Sequence, residues 1–436
     1  MVTQQGDNSL INQVVKASGE VVEFNPEKLN KWAEWASGLS GVNWSGITLS
    51  AVRKCYEQCT TKELQQAMID ACCEKEDEAH FKMAGRLLIG SIYKEVFGGH
   101  DNIPTLKYFY HKMVKNNLWA VMDYSDEELD EINIYIKHEK DLTTGYTELN
   151  QIRGKYMLVD KVNDICFETP QFMYIGMAMA NMESQPKSRR LKDIKKLYTY
   201  LSDKKINAPS PFMTNLRTNK KNYASCNVMT THDTAESLIT GDVIAYLMTC
   251  ASAGIGHHIK TRSKGDPVRQ GTVQHQGKLP YYRMTQAAVA ANMQQGRGGS
   301  ATMHFNALDP EIEDLLVLKN PTTTDQKRIK DIDYSFGANK LFMQKVAKNE
   351  DWMLCSYAVA PDLYESMYVG NQEEFDRLYE LYDSNPVIKK SYVKARVIAE
   401  KALTEGVETG RMYLHFTDLM NKQTPFKDKI YSSNLC

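Results

Sequence analysis

From Tyr223 to the last residue, short apolar or β-prone segments alternate with long helical runs, and this pattern restricts the fold more than any other feature. The helical runs include ESLITGDVIAYLMTCAS and LPYYRMTQAAVAANM. The strand-like segments are ASCNVM, AGIGHH, SATMHF, WMLCSYAV and GRMYLHF. Such alternation is typical of parallel β/α units. We therefore predict about five parallel strands covered by helices, either as an open sheet or as half of a larger one.

The first 99 residues have a different, mostly helical pattern. VVKASGEVVEF predicts a hairpin that turns at Ser18 and Gly19, and a helix is expected to begin near Pro26. Four runs with apolar residues at three-and-four spacing follow one another, and the last ends on glycines that allow a left-handed cap. The four runs are PEKLNKWAEWASGL, LSAVRKCYEQC, TKELQQAMIDACCEK and EAHFKMAGRLLIGSIYKEVFGG. A small sheet over four helices is the simplest packing.

The region from Asp101 to about Asn219 also reads as helical. It contains the charged stretch DEELDEINIYIKHEKD and the basic run KSRRLKDIKK. We interpret the basic run as a solvated helix face, with a nucleic-acid contact as the weaker alternative. The length of 436 residues suggests two or three domains. We predict domains at 1–99, 100–219 and 220–436.

Composition excludes several classes of function. Hydrophobic residues make up 42% of the chain, charged residues 25%, and the net charge of −1 gives no general attraction to nucleic acids or membranes. The apolar stretch AYLMTCASAGIG is too short to span a bilayer, and MVTQQGDNSL does not resemble a signal peptide. The nine cysteines are scattered without zinc-site spacing. We expect a cytoplasmic protein with no metal site and mostly buried, reduced thiols.

Two polar loops are candidates for nucleotide contacts. In MQQGRGGSATMHF, Arg297 stands among glycines and can reach a base or a phosphate. In TRSKGDPVRQG, Arg262 and Arg269 flank a turn and are suited to clamp a triphosphate. Taken alone, the glycine-rich loop is better explained as a flexible connector, and the two arginines as ordinary surface residues.

Two further sites change the interpretation when they are taken with these loops. Ser225 and Cys226 lie on the first predicted strand, and Asn434 and Cys436 lie in a loop after the fifth. Together the motifs resemble the large, catalytic subunit of class I ribonucleotide reductase, over essentially the whole chain. The motifs are ASCNVM, AGIG, DPVR, QGRGGSAT, LLVLKN, TGR followed by Met and Tyr, and SNLC.

The resemblance implies a fold and a chemistry. The family has a ten-stranded α/β barrel built from two halves of five parallel strands, with a finger loop inside, and this chain would supply the first half. Cys436 resembles the finger-loop cysteine whose thiyl radical abstracts the 3'-hydrogen of the ribose. Cys226 resembles one of two cysteines that form a disulfide while the 2'-position is reduced, since a thiol pair delivers two electrons.

The resemblance also implies binding residues. Asn434 matches the amide that contacts the ribose hydroxyls, and Ser210, Ser225, Cys226 and Gly254 match residues of the substrate pocket. Three residues match the specificity site for an effector nucleotide: Asp233, Arg262 and Arg269. Arg297 matches the residue that relays effector identity to the substrate base, and its glycine-rich loop would adopt several conformations of similar energy.

The N-terminal region resembles the ATP-cone domain, which controls overall activity in this family. The residues on nucleotide-contacting positions are Lys16, Asn25, Lys28, Thr61 and Lys94. The chain departs from the family pattern at Ala17, where an arginine is common, and at Gln65, where a histidine is frequent. Because one phosphate-binding guanidinium is missing, we expect a folded cone whose nucleotide affinity is weakened by about tenfold or more.

The resemblance implies partners rather than a covalently bound cofactor. ATP and deoxynucleoside triphosphates are the implied effectors, a metal-containing small subunit supplies the radical, and thioredoxin or glutaredoxin is the reductant. Self-association of the large subunit is also implied, without a role for nucleic acid or a membrane.

Family chains continue beyond the thiyl cysteine into the second half-barrel, so the stop at Cys436 needs an explanation. We expect one piece of a split large subunit that is completed by a complementary C-terminal chain. A truncated product or an intein boundary, with Cys436 as a splicing nucleophile, is an equal alternative. A nucleotide-binding regulatory module without catalysis, and a cobalamin-dependent or glycyl-radical relative with the same barrel, are the other interpretations.

Overall fold

The computed structural model describes residues 11–38, 40–251, 253–292 and 299–434. The chain divides into two compact units, Met1–Tyr223 and Ala224–Cys436. Cys436 and Arg297 lie outside the described residues. Within the described ranges, no helix combines the length and the apolar composition that a bilayer crossing requires.

The first unit is built mainly from helices. Its strands are β1 (Gln13–Val15), β2 (Val21–Glu23), β3 (Val159–Asp160) and β4 (Ile165–Cys166). Its helices are α1 (Pro26–Ser37), α2 (Trp44–Lys54), α3 (Thr61–Cys73), α4 (Glu78–Phe97), α5 (Leu106–Lys115), α6 (Asp126–Asn133), α7 (Tyr146–Lys155), α8 (Pro170–Met182), α9 (Lys187–Ser202) and α10 (Ser210–Asn215), with a 3₁₀ helix at His138–Thr143.

Local chemistry explains the ends of the first elements. The predicted hairpin is confirmed: β1 and β2 pair antiparallel, and Gly19 in the turn has a φ of +83°. Helix α1 begins at Pro26, and Asn25 caps it by accepting from the amide of Lys28 at 3.0 Å. The glycine cap of α4 is confirmed at Gly98, with a φ of +78°. The second helix begins at Trp44, earlier than the predicted run, and ends before Cys55, whose backbone is extended.

A buried ion pair lies inside the helical part of the first unit. Glu168 and Arg217 are both 0% exposed and form a salt bridge. Trp119 donates its indole N–H to the same carboxylate at 3.1 Å, and the amide of Leu158 donates at 2.7 Å. The carboxylate is therefore fully hydrogen-bonded, as a buried charge requires.

The second unit contains the predicted β/α alternation. Its strands are β5 (Cys226–Thr231), β6 (Gly254–Ile259), β7 (Pro267–Val268), β8 (Val273–Gln274), β9 (Ser300–Asn306), β10 (Asp333–Ala338), β11 (Asp351–Cys355), β12 (Lys390–Lys394) and β13 (Met412–Phe416). Its helices are α11 (Ala235–Cys250), α12 (Leu279–Ala291), α13 (Ile312–Leu316), α14 (Lys340–Lys348), α15 (Pro361–Ser366), α16 (Gln372–Ser384), α17 (Ala395–Thr409) and α18 (Thr417–Gln423).

Five parallel strands form the central sheet in the order β13, β10, β9, β6, β5. The fold class is thus an all-α N-terminal region followed by a parallel five-stranded sheet, which is consistent with half of a barrel. Aromatic and aliphatic side chains such as Phe305, Phe336 and Trp352 form the main core of this unit.

One strand assignment was wrong. WMLCSYAV contains β11, which pairs antiparallel with β12 in a separate two-stranded ribbon. The fourth strand of the sheet is β10, which the sequence did not single out. Every residue of β10 is buried, although Asp333 and Ser335 are polar. The segment DYSFGA nevertheless alternates polar residues with Tyr334, Phe336 and Ala338, so the period-2 signal of a strand was present and was missed.

Candidate functional site

Residues 431–434, the terminal segment, lie on one face of the central sheet. We call this the inner face; helices α11 and α12 cover the other. Asn434 donates its side-chain amide to the carbonyls of Gly254 at 2.9 Å and Asn227 at 3.3 Å. Ser432 donates to the carbonyl of Gly256 at 3.3 Å. Since Tyr431 lies beside His258 and Asn434 beside Gly254, the segment runs antiparallel to β6.

Gly256 allows the terminal segment to approach the strand closely. A Cβ atom at this position would lie 1.9 Å from the carbonyl oxygen of Ser433. The same oxygen accepts a hydrogen bond from Nε2 of His304 at 2.7 Å. Only glycine at position 256 of β6 leaves room for the Ser433 carbonyl to accept from His304 on β9.

Tyr431 anchors the other end of the segment. Its hydroxyl donates to Glu365 at 2.6 Å, and the ammonium of Lys260 lies 3.4 Å from its ring centroid. Lys260, which is 4% exposed, also pairs with Glu365 at 2.5 Å. Burial alone would raise the pKa of Glu365, but the bonds from Lys260 and Tyr431 outweigh it and lower the pKa.

The predicted thiol and its neighbours meet at the amino ends of β5 and β6. Cys226 is exposed, and its Cα pairs in register with Gly254. Its Sγ lies 3.5 Å from Oγ of Ser225, whose carbonyl accepts from the amide of Gly254 at 2.7 Å. The predicted residues Ser225, Cys226 and Gly254 thus lie together. The terminal segment adds Asn434, which donates to the carbonyl of Gly254.

The structure pairs two of the three predicted effector residues. Asp233 accepts from Arg262 Nε at 2.8 Å and from the hydroxyl of Thr261 at 2.8 Å. Burial raises the pKa of Asp233, but the hydrogen bonds from Arg262 and Thr261 reverse this and lower it overall. Arg262 also donates to the carbonyl of Pro267 at 2.8 Å, at the base of the β7–β8 hairpin.

Arg269 lies at the exposed tip of that hairpin. Its side chain forms no ion pair with a residue that the structure describes. Arg269, Gln270 and Gly271 have φ values of +48°, +57° and +87°, so three consecutive residues are in the left-handed region. The guanidinium therefore projects from a tightly turned loop and is not held against Asp233.

Ser210 belongs to the first unit. It is the first residue of α10, it is partly buried, and its carbonyl accepts from the hydroxyl of Thr214 at 3.0 Å.

The predicted cone residues are distributed around α1, α3 and α4. Lys16 pairs with Glu20 at 2.9 Å across the hairpin turn. Asn25 is the cap of α1, Lys28 is exposed in its first turn, and Thr61 begins α3. Lys94 is exposed, and its ammonium lies 3.5 Å from the ring centroid of Trp32.

Trp32 was missed by the sequence reasoning, although its ring contacts the ammonium of Lys94. Its indole N–H donates to Gln65 at 2.7 Å, and the side-chain amide of Gln65 donates to the carbonyl of Leu87 at 2.8 Å. A Cβ at Gly90 would lie 2.4 Å from the indole. The available signal was Gly90 itself, a glycine inside a long helix one turn before Lys94.

Three buried or half-buried histidines on the inner face were also missed. They are His258 on β6, His304 on β9 and His415 on β13. Burial lowers the pKa of His304 to about 4 and that of His415 to about 3. The signal was present, because three of the five predicted strand segments contain histidine. Among the described residues, no group of His, Cys, Asp or Glu side chains is arranged to hold a metal ion.

A mainly helical region followed by a parallel five-stranded sheet, with a segment on the inner face of that sheet, is the architecture of a class that two family models describe. The model for "Ribonucleotide reductase, barrel domain" matches residues 224–436, and that for "Ribonucleotide reductase, all-alpha domain" matches residues 142–221. The chain belongs to the ribonucleotide reductase family.

Individual relatives are large subunits of this enzyme. The chain is 32% identical over 436 residues to ribonucleoside-diphosphate reductase subunit alpha of Buchnera aphidicola, covering 97% of this chain and 57% of that one. It is 31% identical to subunit alpha of reductase 1 of Escherichia coli, with the same coverage. The subunit alpha of Enterobacteria phage T4 is 32% identical over 98% of this chain and 58% of its own. The chain spans a little over half of these relatives and corresponds to their N-terminal part.

Proposed function

We propose that the chain carries the finger loop and the effector site of a ribonucleoside-diphosphate reductase. In this proposal Cys436 forms the thiyl radical that takes the 3'-hydrogen. Cys226 and a partner thiol reduce the 2'-position, forming a disulfide as the 2'-hydroxyl leaves as water. The observation that carries the proposal is the seating of residues 431–434 on the inner face, next to the strand that begins with Cys226.

The contacts of Asn434 support a role in ribose binding. Its amide N–H groups are used by two backbone carbonyls, which leaves its Oδ1 to accept from a substrate hydroxyl. Ser225 and Gly254 adjoin this position, and we assign them, with Cys226 and Ser210, to the substrate pocket on the basis of the family resemblance.

The pair formed by Asp233 and Arg262 supports a nucleotide effector site. The guanidinium is held by Asp233 and the Pro267 carbonyl, is 29% exposed, and has further N–H groups that can donate to phosphate. Arg269 on the hairpin tip would add a second guanidinium, and Arg297 would relay the effector to the substrate base.

We assign the domains as an ATP-cone-like domain at 1–99, a helical domain at 100–219 and the first half of a ten-stranded barrel at 220–436. In the cone, nucleotide would meet Lys16, Asn25, Lys28, Thr61 and Lys94. Trp32 and Gln65 fill the space next to Lys94, which agrees with a weakened response to dATP.

Turnover then requires partners. The remaining barrel strands come from residues outside this sequence, in the same polypeptide or in a complementary chain. A metal-containing small subunit supplies the radical, and thioredoxin or glutaredoxin reduces the disulfide. A stripe of exposed apolar side chains on α11 supports self-association: Ile239, Val243, Tyr246 and Leu247.

The test is reduction of a ribonucleoside diphosphate by this chain mixed with the remaining barrel half and a small subunit. We expect turnover of the mixture, none from the chain alone, and complete loss in Cys436→Ser and Cys226→Ser. Cys250→Ser is the matched control, because Cys250 is an exposed thiol that donates to Asn292, the residue after α12. Effector binding without turnover in every mixture would refute the enzyme proposal and favour a regulatory module.

A further inference from the structure

The inner face of the sheet carries polar side chains in adjacent positions. His258, His304 and Ser335 lie next to one another in register across β6, β9 and β10. His304 is 1% exposed. A barrel interior usually consists of packed branched apolar side chains, so this row requires a different explanation.

The contact with Ser433 determines the tautomer of His304. A carbonyl oxygen only accepts, so Nε2 of the neutral imidazole must carry the hydrogen. Nδ1 is then a bare acceptor, and it is buried without a hydrogen-bond partner among the described residues. Burial keeps the ring neutral near pH 7, which preserves this arrangement.

His304 and Gly256 hold the Ser433 carbonyl from two sides. Nε2 of His304 donates to the oxygen at 2.7 Å, and the bare Cα of Gly256 leaves the room that the oxygen occupies. Asn434 follows directly, so the position of this carbonyl determines whether its amide reaches Gly254.

A second histidine supports the ring of His304. The ring of His415 meets that of His304 edge to face, with centroids 5.2 Å apart. Its Nδ1 lies 2.8 Å from the hydroxyl of Ser335 on β10. The imidazole of His304 is thus packed against the ring of His415, which Ser335 contacts in turn, and this restricts its rotation.

We propose that His304 is a positioning residue that fixes the terminal segment, and through it Asn434, at a set distance from the inner face of the sheet. The buried Nδ1 is the acceptor for a hydroxyl or a water inside the completed barrel. This proposal rests on the proposed function for its catalytic meaning, but the tether itself is a property of the chain alone.

The test compares His304→Gln with His304→Phe in the full chain. Glutamine presents an amide N–H near the position of Nε2, whereas phenylalanine keeps the volume and has no donor. Hydrogen–deuterium exchange of the backbone amides in 424–434 should quicken about five- to tenfold in the phenylalanine variant and stay near the native rate in the glutamine variant. Equal exchange in all three proteins would overturn the proposal.

Two further measurements separate the tether from folding and from the proposed function. In the reconstituted enzyme, His304→Phe should lower kcat by about 10²-fold with little change in KM, and His304→Gln should recover most of it. If even the native mixture has no turnover, the exchange measurement still shows whether His304 holds the terminal segment in place. If the phenylalanine variant does not fold, the ¹⁵N shifts of the native His304 ring decide, and a proton on Nδ1 instead of Nε2 would refute the assignment.

Discussion

Trp32 is the single residue whose contacts bear most directly on the proposed nucleotide site of the N-terminal region. Its indole lies against Lys94, is bonded by Gln65, and occupies the space that the absent side chain of Gly90 leaves. The cation–π contact gives Lys94 a partner within the chain. A phosphate would have to displace that contact before it could use the ammonium.

We therefore expect the native chain to bind dATP more tightly at its effector site than at the cone. The measurement is equilibrium dialysis with labelled dATP in an Arg262→Ala background, which removes the effector site; the native cone should then bind dATP only weakly. Trp32→Ala should strengthen this binding, because it removes the ring that contacts the Lys94 ammonium and the indole N–H that occupies Gln65. Trp44→Ala is the control, since Trp44 also packs on the N-terminal core but does not contact Lys94. Strong dATP binding by the Arg262→Ala chain would contradict the closed cone.

At the scale of elements, the strands of the sheet differ in how well the sequence reveals them. β6, β9 and β13 were predicted because their segments are rich in β-prone residues bounded by glycine or helical runs. β10 was missed although its polar and apolar residues alternate, and β11 was assigned to the wrong sheet. The motif around Asn434 identified the candidate site, whereas Trp32 and His304 depend on contacts between distant elements that no local pattern encodes.

The buried histidines of the sheet predict a dependence of stability on pH. Burial lowers the pKa of His257 and His415 to about 3 and of His304 to about 4, and lowers that of His258 further below its usual value of 6.5. Between pH 6.5 and about 4 the unfolded chain binds protons that the folded chain does not. The contribution of the neutral histidines to the free energy of unfolding should be complete above pH 6.5. Below that pH the free energy of unfolding should fall by about 1.4 kcal/mol per pH unit for each histidine.

Urea unfolding at several pH values between 4.5 and 7 measures this slope. The buried carboxyl of Asp141, whose pKa burial raises to about 7, acts in the opposite direction, so the difference between variants is the clearer quantity. His304→Gln should lower the slope by about 1.4 kcal/mol per pH unit. An unchanged slope would mean that the pKa of His304 is not lower in the folded chain than in the unfolded chain.

For the whole molecule, the exposed surfaces of the second unit matter most. Strands β5 and β13 end the sheet, and Val228 on β5 is 58% exposed on the inner face. Helix α11 is apolar around most of its circumference and leaves Ile239 63% exposed. Unpaired edges and apolar stripes of this kind are usually covered by another chain or segment.

We expect the stripe on α11 to be the surface through which two copies associate. Ile239→Lys together with Val243→Glu should weaken the association by at least about tenfold, because two charges would be buried against apolar side chains. Sedimentation velocity over a range of concentrations measures the change. Leu403→Lys is the control, since Leu403 is a similarly exposed apolar side chain on α17. Equal loss of association in the control would contradict the assignment to α11.

The tip of the β7–β8 hairpin has a consequence for regulation. Arg269 and Gln270 are non-glycine residues in the left-handed region, each of which costs about 1 to 2 kcal/mol relative to the common backbone conformations. The backbone of the hairpin tip is therefore strained. If phosphates of a bound ligand drew Arg269 inward and allowed these two residues to adopt common backbone conformations, relief of this strain would add to the free energy of binding. The loop would then relax when the ligand binds.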